Sequence, residues 1–396
     1  MAAAESILVS MASLPRRIAS ELGSRLRSPQ TAAFVAGVES NLTQRRREQR
    51  MKSGTFRGMH VTVYRGFVAG DVAKVRVRVT ETPELPGDSR IPYWDVAQAN
   101  LVRHAALRIV GAEVELRIGA HSAREVTDSH GFANFSLPVP GLRVGWHDVH
   151  AVTTPLEEGE SASGTGRVVK PSLKAPFLVI SDIDDTILLT GLTEGVAMVA
   201  RTVLREASER AAIPGMSALY SGLARGLPNR SGNRRPVPTF FYVSTGSWSF
   251  YPTLQEFVQL RGFPLGPMFL TDWGPTERYL RRSGAEHKRA AIRRLFQAYP
   301  TMRFVLVGDS GQRDPLTYAE MAAEFPGRVS LIIIRRVGDE DDERNIAVRA
   351  HAETLRAEGI PLHLVPDAAA AARIAHDLGL CDEETLVEVG IELGLS

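Results

Sequence analysis

The chain has 396 residues, of which 44% are hydrophobic and 23% charged, and its formal net charge is +2. This length permits two or three domains with at least one substantial core, and the near-neutral charge gives no reason to expect nucleic-acid binding. Cys381 is the single cysteine, which excludes an internal disulfide or a multi-cysteine zinc site and fits a reducing compartment. There is no signal-peptide pattern and no apolar run of about 18 residues, so we expect a cytoplasmic protein, with peripheral membrane contact as an option.

Residues 1–57 are predicted to form a basic helical arm. Residues 1–55 hold nine Lys/Arg against four Glu, and Leu14, Ile18 and Leu22 recur at helical spacing. A basic amphipathic helix of this kind can attach to an anionic membrane surface. The simpler alternative is an arm that packs on its own protein, and the sequence leaves both open.

Residues 58–170 are predicted to form a small β-sandwich. Val75–Val79 and Val114–Ile118 alternate apolar with charged residues, which is typical of strands with one wet face. Asp128–Gly131 has the composition of a tight turn, and Trp146–Val152 supplies another strand. Several short antiparallel strands with Gly and Pro between them favour a sandwich.

Residues 171–396 alternate apolar strand candidates with helical segments. This alternation predicts an α/β domain built on a doubly wound parallel sheet. The strand candidates are Phe177–Ser181, Thr239–Ser244, Arg303–Gly308, Val329–Ile334 and Pro361–Val365.

A segment near 187–238 is long enough to form a cap over a site in the α/β domain. It holds seven Arg against three Glu, and Arg230–Arg235 forms its most basic stretch. A basic loop in this place could attract an anionic head group or membrane surface. A solvated loop without a ligand is an equally good interpretation.

The segment Phe177–Thr186 carries the clearest chemical signal. Its apolar run ends in Asp182, Asp184 and Asp185, and a buried parallel strand places its carboxyl end at the ligand-binding edge of the sheet. Asp182 and Asp184 are two apart and can reach one pocket from a strand end. Two such carboxylates suit phosphoester hydrolysis, in which one attacks phosphorus while the other shuttles a proton. A hard cation such as Mg²⁺ would offset the repulsion of the anionic substrate.

Further polar residues follow other predicted strands. Ser244 and Thr245 end the second strand with hydroxyl groups suited to a phosphate oxygen. Asp309 and Asp314 follow the third and suit a cation, and Lys288 opens a helical stretch from which it could neutralise a transferring phosphoryl group.

This order of elements resembles that of the haloacid dehalogenase-like phosphatases. Their motifs are an apolar strand ending in D-x-D-x-T, a strand-end Ser or Thr, a lysine, and G-D with a further Asp one turn away. The matching residues here are Asp182, Asp184, Thr186, Ser244, Lys288, Gly308, Asp309 and Asp314.

The resemblance implies a role for each of these residues. Asp182 would be the nucleophile and Asp184 the general acid/base. Asp309, Asp182 and the carbonyl of Asp184 would bind Mg²⁺, with Asp314 as a supporting acid near the metal. The substrate-binding residues implied are Thr186, Ser244, Thr245 and Lys288, of which Ser244 and Lys288 also serve catalysis.

A narrower resemblance, over about residues 171–340, is to the actin-patch-associated phosphatidate phosphatase family. It is carried by S-D-I-D-D-T-I, F-F-Y-V-S-x-x-x-W, G-F-P-x-G-P, H-K and G-D-S-G-Q-x-D-P. The resemblance implies hydrolysis of phosphatidate to diacylglycerol. Fungal members continue into a long partner-binding tail, and because this sequence ends at Ser396 we do not expect actin-patch recruitment here.

Two alternatives stay open at this point. A phosphatase of a soluble monoester, such as a sugar phosphate or nucleotide, would carry the same four motifs. A non-catalytic lipid- or protein-binding module would be expected to lose the motif carboxylates, whereas Asp182, Asp184 and Asp309 are all present. The sequence gives no oligomeric state.

Overall fold

The computed structural model describes residues 49–50, 52–83, 106–155, 161–189, 212–226, 236–271 and 284–395. Most of the predicted arm 1–57 and most of the predicted cap 187–238, including Arg230–Arg235, lie outside these ranges. Within them, no helix has the length and apolar character needed to cross a bilayer.

The amino-terminal region is an eight-stranded sheet around its own core. All but one of its pairings are antiparallel, the exception being β2 with β8. The apolar side chains of β1 to β4 and β6 to β8 meet in a single cluster. The strands are β1 (Met59–Val63), β2 (Gly66–Ala69), β3 (Val72–Glu81), β4 (Glu113–Ile118), β5 (His121–Val126), β6 (Phe132–Pro138), β7 (Gly145–Thr153) and β8 (Ser163–Lys170).

This region differs in one respect from the predicted β-sandwich. Its hydrogen bonds join all eight strands into one sheet, in the order β1-β3-β2-β8-β7-β4-β5, with β6 on the other side of β3. The parallel pairing of β2 with β8, at Gly66 and Phe67, joins the strands β1, β2, β3 and β6 to the strands β4, β5, β7 and β8. Strand β5 comes close to β6 at the opposite end of the order, so the sheet curls around its shared core.

The second region contains a six-stranded parallel sheet in the order β11-β10-β9-β12-β13-β14. The strands are β9 (Leu178–Asp182), β10 (Phe240–Ser247), β11 (Met268–Thr271), β12 (Phe304–Asp309), β13 (Val329–Arg335) and β14 (Leu362–Val365). If β9 to β14 are renumbered 1 to 6, the order across the sheet is 3-2-1-4-5-6. Successive strands are therefore added first on one side of β9 and then on the other, and the order reverses between β9 and β12. Doubly wound sheets bind ligands at such a switch point. The more specific haloacid dehalogenase-type assignment stays a prediction.

Helices cover both faces of the parallel sheet. They are α1 (Met216–Arg225), α2 (Tyr251–Leu260), α3 (Gly284–Ala298), α4 (Asp314–Glu324), α5 (Glu343–Ala357), α6 (Ala368–Asp377) and α7 (Glu383–Glu392). Successive strand residues alternate between two cores: Val179 packs with α1, α2, α6 and α7, whereas Leu178 and Ile180 pack with α3, α4 and α5. Burial on both faces explains why these strands read as continuous apolar runs.

The two regions share apolar contacts. The ring of Phe67 on β2 lies 5.8 Å from that of Phe241 on β10, and the Tyr299 hydroxyl donates a hydrogen bond to the Val68 carbonyl at 2.9 Å. The ring of Tyr64 lies 4.4 Å from that of Trp248. The curled sheet is therefore packed directly against the α/β region.

Candidate active site

Three carboxylates lie together at the carboxyl edge of the parallel sheet. Asp182 ends β9, Asp309 ends the neighbouring strand β12, and Asp314 begins α4. An oxygen atom from each lies within 4.8 Å of the others, and all three residues are buried. Because buried carboxylates repel one another, this acidic cluster of Asp182, Asp309 and Asp314 requires positive charge in its midst.

Lys288 supplies part of that charge. Its Nζ lies 2.7 Å from Asp182 Oδ1 and 2.7 Å from Asp314 Oδ1, and its side chain is only 5% exposed. The contact with Asp182 is an ion pair without hydrogen-bond alignment, whereas Lys288 donates a hydrogen bond to Asp314. Burial lowers the pKa of Lys288, but attraction by Asp182 and Asp314 outweighs burial and holds this pKa above its ordinary value. The lysine is therefore charged.

One lysine does not balance three carboxylates. Burial raises the pKa of Asp182 well above its usual range, although Lys288 opposes the rise. Burial, with repulsion from Asp314, raises the pKa of Asp309 to about 7. The Oδ2 atoms of Asp182 and Asp309 are buried and accept no hydrogen bond in the part of the chain that is described. Carboxylate oxygens are the ligands that Mg²⁺ prefers, so these residues fit a divalent cation.

The oxygens of Asp309 and Asp314 are used differently. Asp309 Oδ1 accepts hydrogen bonds from the backbone N–H groups of Gly311 and Gln312, at 2.6 and 3.0 Å, which leaves Oδ2 for a cation. Asp314 Oδ1 contacts Lys288, and its Oδ2 accepts a long hydrogen bond of 3.4 Å from the Asp309 backbone. Asp314 thus lies within the acidic cluster, where its contacts orient Lys288 and the Asp309 turn.

The spacing between Asp309 and Asp314 explains the glycine that precedes Asp309. A Cβ on Gly308 would lie 2.6 Å from Asp314 Oδ2 and 2.8 Å from Tyr318. Any larger residue would force Asp314 or Tyr318 to shift. The G-D pair therefore has a packing cause.

Asp184 lies beyond β9, and its side chain is not part of the acidic cluster. The Ser244 hydroxyl donates a 2.7 Å hydrogen bond to Asp184 Oδ2 and accepts one of 2.9 Å from the Gly246 N–H. Asp184 is only half-buried, in contrast to Asp182. A partly accessible carboxyl group can exchange protons with a substrate and with water, as a general acid/base must.

The two predicted threonines follow this pair closely in the sequence, Thr186 after Asp184 and Thr245 after Ser244. Thr186 is buried, and its hydroxyl makes no hydrogen bond within the described ranges. Thr245 is half-buried, and its carbonyl accepts a 2.7 Å hydrogen bond from the Thr271 hydroxyl. Their roles in substrate binding stay predictions, as does the role of the Asp184 carbonyl as a metal ligand.

Two further polar residues support the site without having been assigned a role from sequence. Gln312 accepts a 3.2 Å hydrogen bond from Lys288 Nζ, and its Nε2 lies 3.5 Å from the Asp184 carbonyl oxygen. Buried Asn345 accepts a 2.6 Å hydrogen bond from Ser310, the residue after Asp309. Gln312 belongs to the motif G-D-S-G-Q-x-D-P, and this motif is the sequence signal that could have identified it. Nothing in the sequence connects Asn345 to Ser310.

Comparison with known proteins identifies relatives of part of this chain. Residues 177–336 match the family model described as "Phosphatidate phosphatase APP1, catalytic domain". Phosphatidate phosphatase APP1 of Saccharomyces cerevisiae is 32% identical over 158 residues, which are 40% of this chain and 25% of the yeast protein. An uncharacterized protein of Schizosaccharomyces pombe is 31% identical over 160 residues, with the same two coverages. The chain thus spans about a quarter of the length of these relatives.

Among solved structures, the alignment with a sialyltransferase from Photobacterium damsela covers 84% of this chain and 65% of the sialyltransferase chain. The sequence identity is 10% and the TM-score is 0.23. This score is too low to indicate a shared fold.

The range that matches the family model includes all six acidic, hydroxyl and lysine residues of the predicted catalytic and metal-binding set. They are Asp182, Asp184, Ser244, Lys288, Asp309 and Asp314. The match of residues 177–336 to the catalytic-domain model, together with the similarity to the yeast protein, confirms the resemblance carried by the sequence motifs.

Proposed function

We propose that this chain is a Mg²⁺-dependent phosphatase that hydrolyses a phosphate monoester through a phospho-aspartate on Asp182, with phosphatidate as the leading substrate. The observation that carries the proposal is the acidic cluster, in which a buried Asp182 contacts Lys288 and retains an oxygen without a hydrogen bond. The match of residues 177–336 to the phosphatidate phosphatase APP1 catalytic-domain model supports both the reaction and the substrate.

In the first proposed step, an Asp182 carboxylate oxygen attacks phosphorus as the bond from phosphorus to the ester oxygen breaks. Asp184 donates a proton to the departing oxygen, and Ser244 holds Asp184 in place through its 2.7 Å hydrogen bond. Lys288 offsets the negative charge of the phosphoryl oxygens. In the second step, Asp184 accepts a proton from water, which attacks phosphorus, releases inorganic phosphate and restores Asp182.

The Oδ2 atoms of Asp182 and Asp309, with the Asp184 carbonyl, would hold the Mg²⁺ ion. When bound, the ion neutralises negative charge at the phosphate and at the two carboxylates. The raised pKa values of Asp182 and Asp309 oppose ionisation of these carboxylates, and a cation favours it, so we expect ion binding and ionisation of the nucleophile to be coupled.

Two observations bear on the substrate. The named activity belongs to the yeast relative, of which the chain spans a quarter. The basic residues of the predicted arm and cap are compatible with an anionic lipid surface, but the same four motifs would serve a soluble monoester.

A phosphate-release assay with purified protein and Mg²⁺ tests the proposal. Phosphatidate vesicles, lysophosphatidate, sugar phosphates and nucleotides are compared for the wild type and for Asp182→Asn. We expect release from phosphatidate, and a loss on the order of 10³-fold or more in the variant, because removal of a nucleophile removes the covalent route.

Three outcomes would change the assignment. Equal rates for wild type and Asp182→Asn would eliminate the nucleophile role. Faster release from a soluble ester, without response to vesicles, would favour the soluble-substrate alternative. No release from any monoester would favour a binding module.

A further inference from the structure

Asp185, which directly follows Asp184, has an uncommon backbone conformation. Its φ of 53° is the only positive φ recorded for a non-glycine residue in the described ranges. Aspartate tolerates this left-handed region better than most residues, yet the conformation costs on the order of 1 kcal/mol. Asp185 is 4% exposed and lies in the turn that carries Asp182 and Asp184. Its surroundings must therefore stabilise this turn.

The Asp185 N–H donates a 2.8 Å hydrogen bond to the Leu188 carbonyl, and Arg335 adds a side-chain contact to the carbonyl of Asp185. Its Nε and Nη2 both donate hydrogen bonds to the Asp185 carbonyl, at 2.8 and 2.5 Å. Its Nη1 donates a third, of 3.0 Å, to the Arg336 carbonyl, which fixes the plane of the guanidinium. The rigid fork of an arginine suits such a double contact, which a lysine ammonium cannot reproduce.

The backbone of Arg335 reaches the other half of the site. Arg335 ends β13 and is the register partner of Asp309 on β12. Its carbonyl accepts a 2.9 Å hydrogen bond from the N–H of Ser310. One residue therefore contacts the Asp182–Asp185 turn with its side chain and the Asp309 turn with its main chain. It also places a cation near the acidic cluster without contacting a cluster carboxylate.

We infer that Arg335 is a positioning residue that holds the Asp182–Asp185 turn against the Asp309 turn, so that the carboxylates of Asp182 and Asp309 converge on one cation. The inference deepens the proposed function and rests on it for the identity of the cation. In this role Arg335 acts through the turn and needs no contact with substrate.

The test compares Arg335→Gln with Arg336→Gln in the full chain. Arg336 is the matched control because it is the next residue, and its charge is paired with the exposed side chain of Glu340. Titration calorimetry with Mg²⁺ alone should give a Kd raised about 10-fold or more in Arg335→Gln, the usual effect of removing a group that orients metal ligands. With the preferred monoester, kcat should fall by a similar factor while KM changes less than about 2-fold. Arg336→Gln should match the wild type in both measurements.

A rescue experiment separates positioning from general stability. Glycine adopts a φ of 53° without strain, whereas alanine does not. In the Arg335→Gln background, Asp185→Gly should therefore recover part of the Mg²⁺ affinity, and Asp185→Ala should not. Both changes remove the same carboxylate, so their difference reports the backbone alone. If Arg335→Gln does not fold, Arg335→Lys serves in its place, with a smaller expected loss.

The inference is overturned if the Arg335 variant binds Mg²⁺ as tightly as the wild type, if Arg336→Gln is equally impaired, or if alanine rescues as well as glycine. It is also overturned if the wild type does not bind Mg²⁺ at millimolar concentration. Binding of Mg²⁺ without phosphate release from any monoester would reject the proposed function alone, since the affinities still decide the role of Arg335.

Discussion

The two sheets of this protein differ in how far their paired charged side chains are exposed to solvent. On the curled sheet, Arg124 lies 3.3 Å from Glu113 and 3.2 Å from Glu115, and its side chain is 66% exposed. At the edge of the parallel sheet, Lys288 lies between two carboxylates with almost no exposure. Exposed pairs contribute about 0–1 kcal/mol, whereas breaking a buried pair costs several kcal/mol. Compared with apolar residues of similar size, however, a complete buried ion pair adds little to the free energy of unfolding. The presence of these buried charges therefore requires a chemical reason.

The difference follows from how each sheet is covered. The curled sheet has an outer face in water, where its charged residues remain hydrated. The parallel sheet is covered by helices on both faces, so its polar groups collect at the carboxyl edge. Four predictions test this contrast.

The largest effect is expected for Lys288→Met in Mg²⁺-free buffer near neutral pH. The substitution leaves the buried carboxylates of Asp182 and Asp314 without their cation. We expect the free energy of unfolding, measured by urea denaturation, to fall by about 3–5 kcal/mol. Arg289→Met is the matched control on the same helix, because Arg289 pairs with the accessible Glu320, and we expect less than about 1 kcal/mol there. Similar losses in both variants would contradict the contrast.

A smaller effect is expected from pH. The pKa of Asp309 is about 7 in the folded protein, against an ordinary value of 3.8. Between these values the folded state holds a proton that the unfolded state has released, so the stability contributed by Asp309 is present at low pH and is lost as pH rises through 7. In Mg²⁺-free buffer, Tm should therefore fall from pH 5 to pH 8.

The same linkage predicts how Mg²⁺ acts. Because the ion binds the ionised carboxylates, the rise in Tm on adding Mg²⁺ should be larger at pH 8 than at pH 5. Asp309→Asn should reduce both the pH slope and the rise. An unchanged slope in this variant would assign the pH dependence to another group.

The smallest effect is expected for Arg124→Gln on the curled sheet. Both ion pairs of Arg124 are solvated, so the free energy of unfolding should change by less than about 1 kcal/mol, and 1 M NaCl should remove most of the difference. Urea denaturation at low and high salt measures this. A loss comparable to that of Lys288→Met would show that exposure does not separate the two kinds of ion pair.

Much of the candidate site could be predicted because its residues follow strands. Asp182, Ser244 and Asp309 each stand at or near the end of an apolar run, and parallel strands bring their carboxyl ends to one edge. Lys288 was predicted from its order in the chain, and the structure places it between Asp182 and Asp314.

The remaining features depend on contacts that side-chain patterns do not encode. Arg335 bonds to a main-chain carbonyl about 150 residues earlier in the chain, and any residue type could supply that acceptor. Strand β11 was not predicted because Met268–Thr271 has only four residues and follows a stretch rich in Gly and Pro. The joining of the curled sheet through β2 and β8 depends on a short parallel contact between distant segments.

The contacts between Phe67 and Phe241, and between Tyr299 and Val68, bear on where this protein can be divided. Family similarity covers residues 177–336, yet the apolar layers on either side of that segment are completed by Tyr64, Phe67, Val365 and Val389. The segment that matches these relatives is thus smaller than the packed unit that contains it. Cutting the chain at the limits of similarity would expose aromatic rings on one side and remove strand β14 on the other. The boundaries of sequence similarity are therefore not the boundaries of the unit that we expect to fold cooperatively.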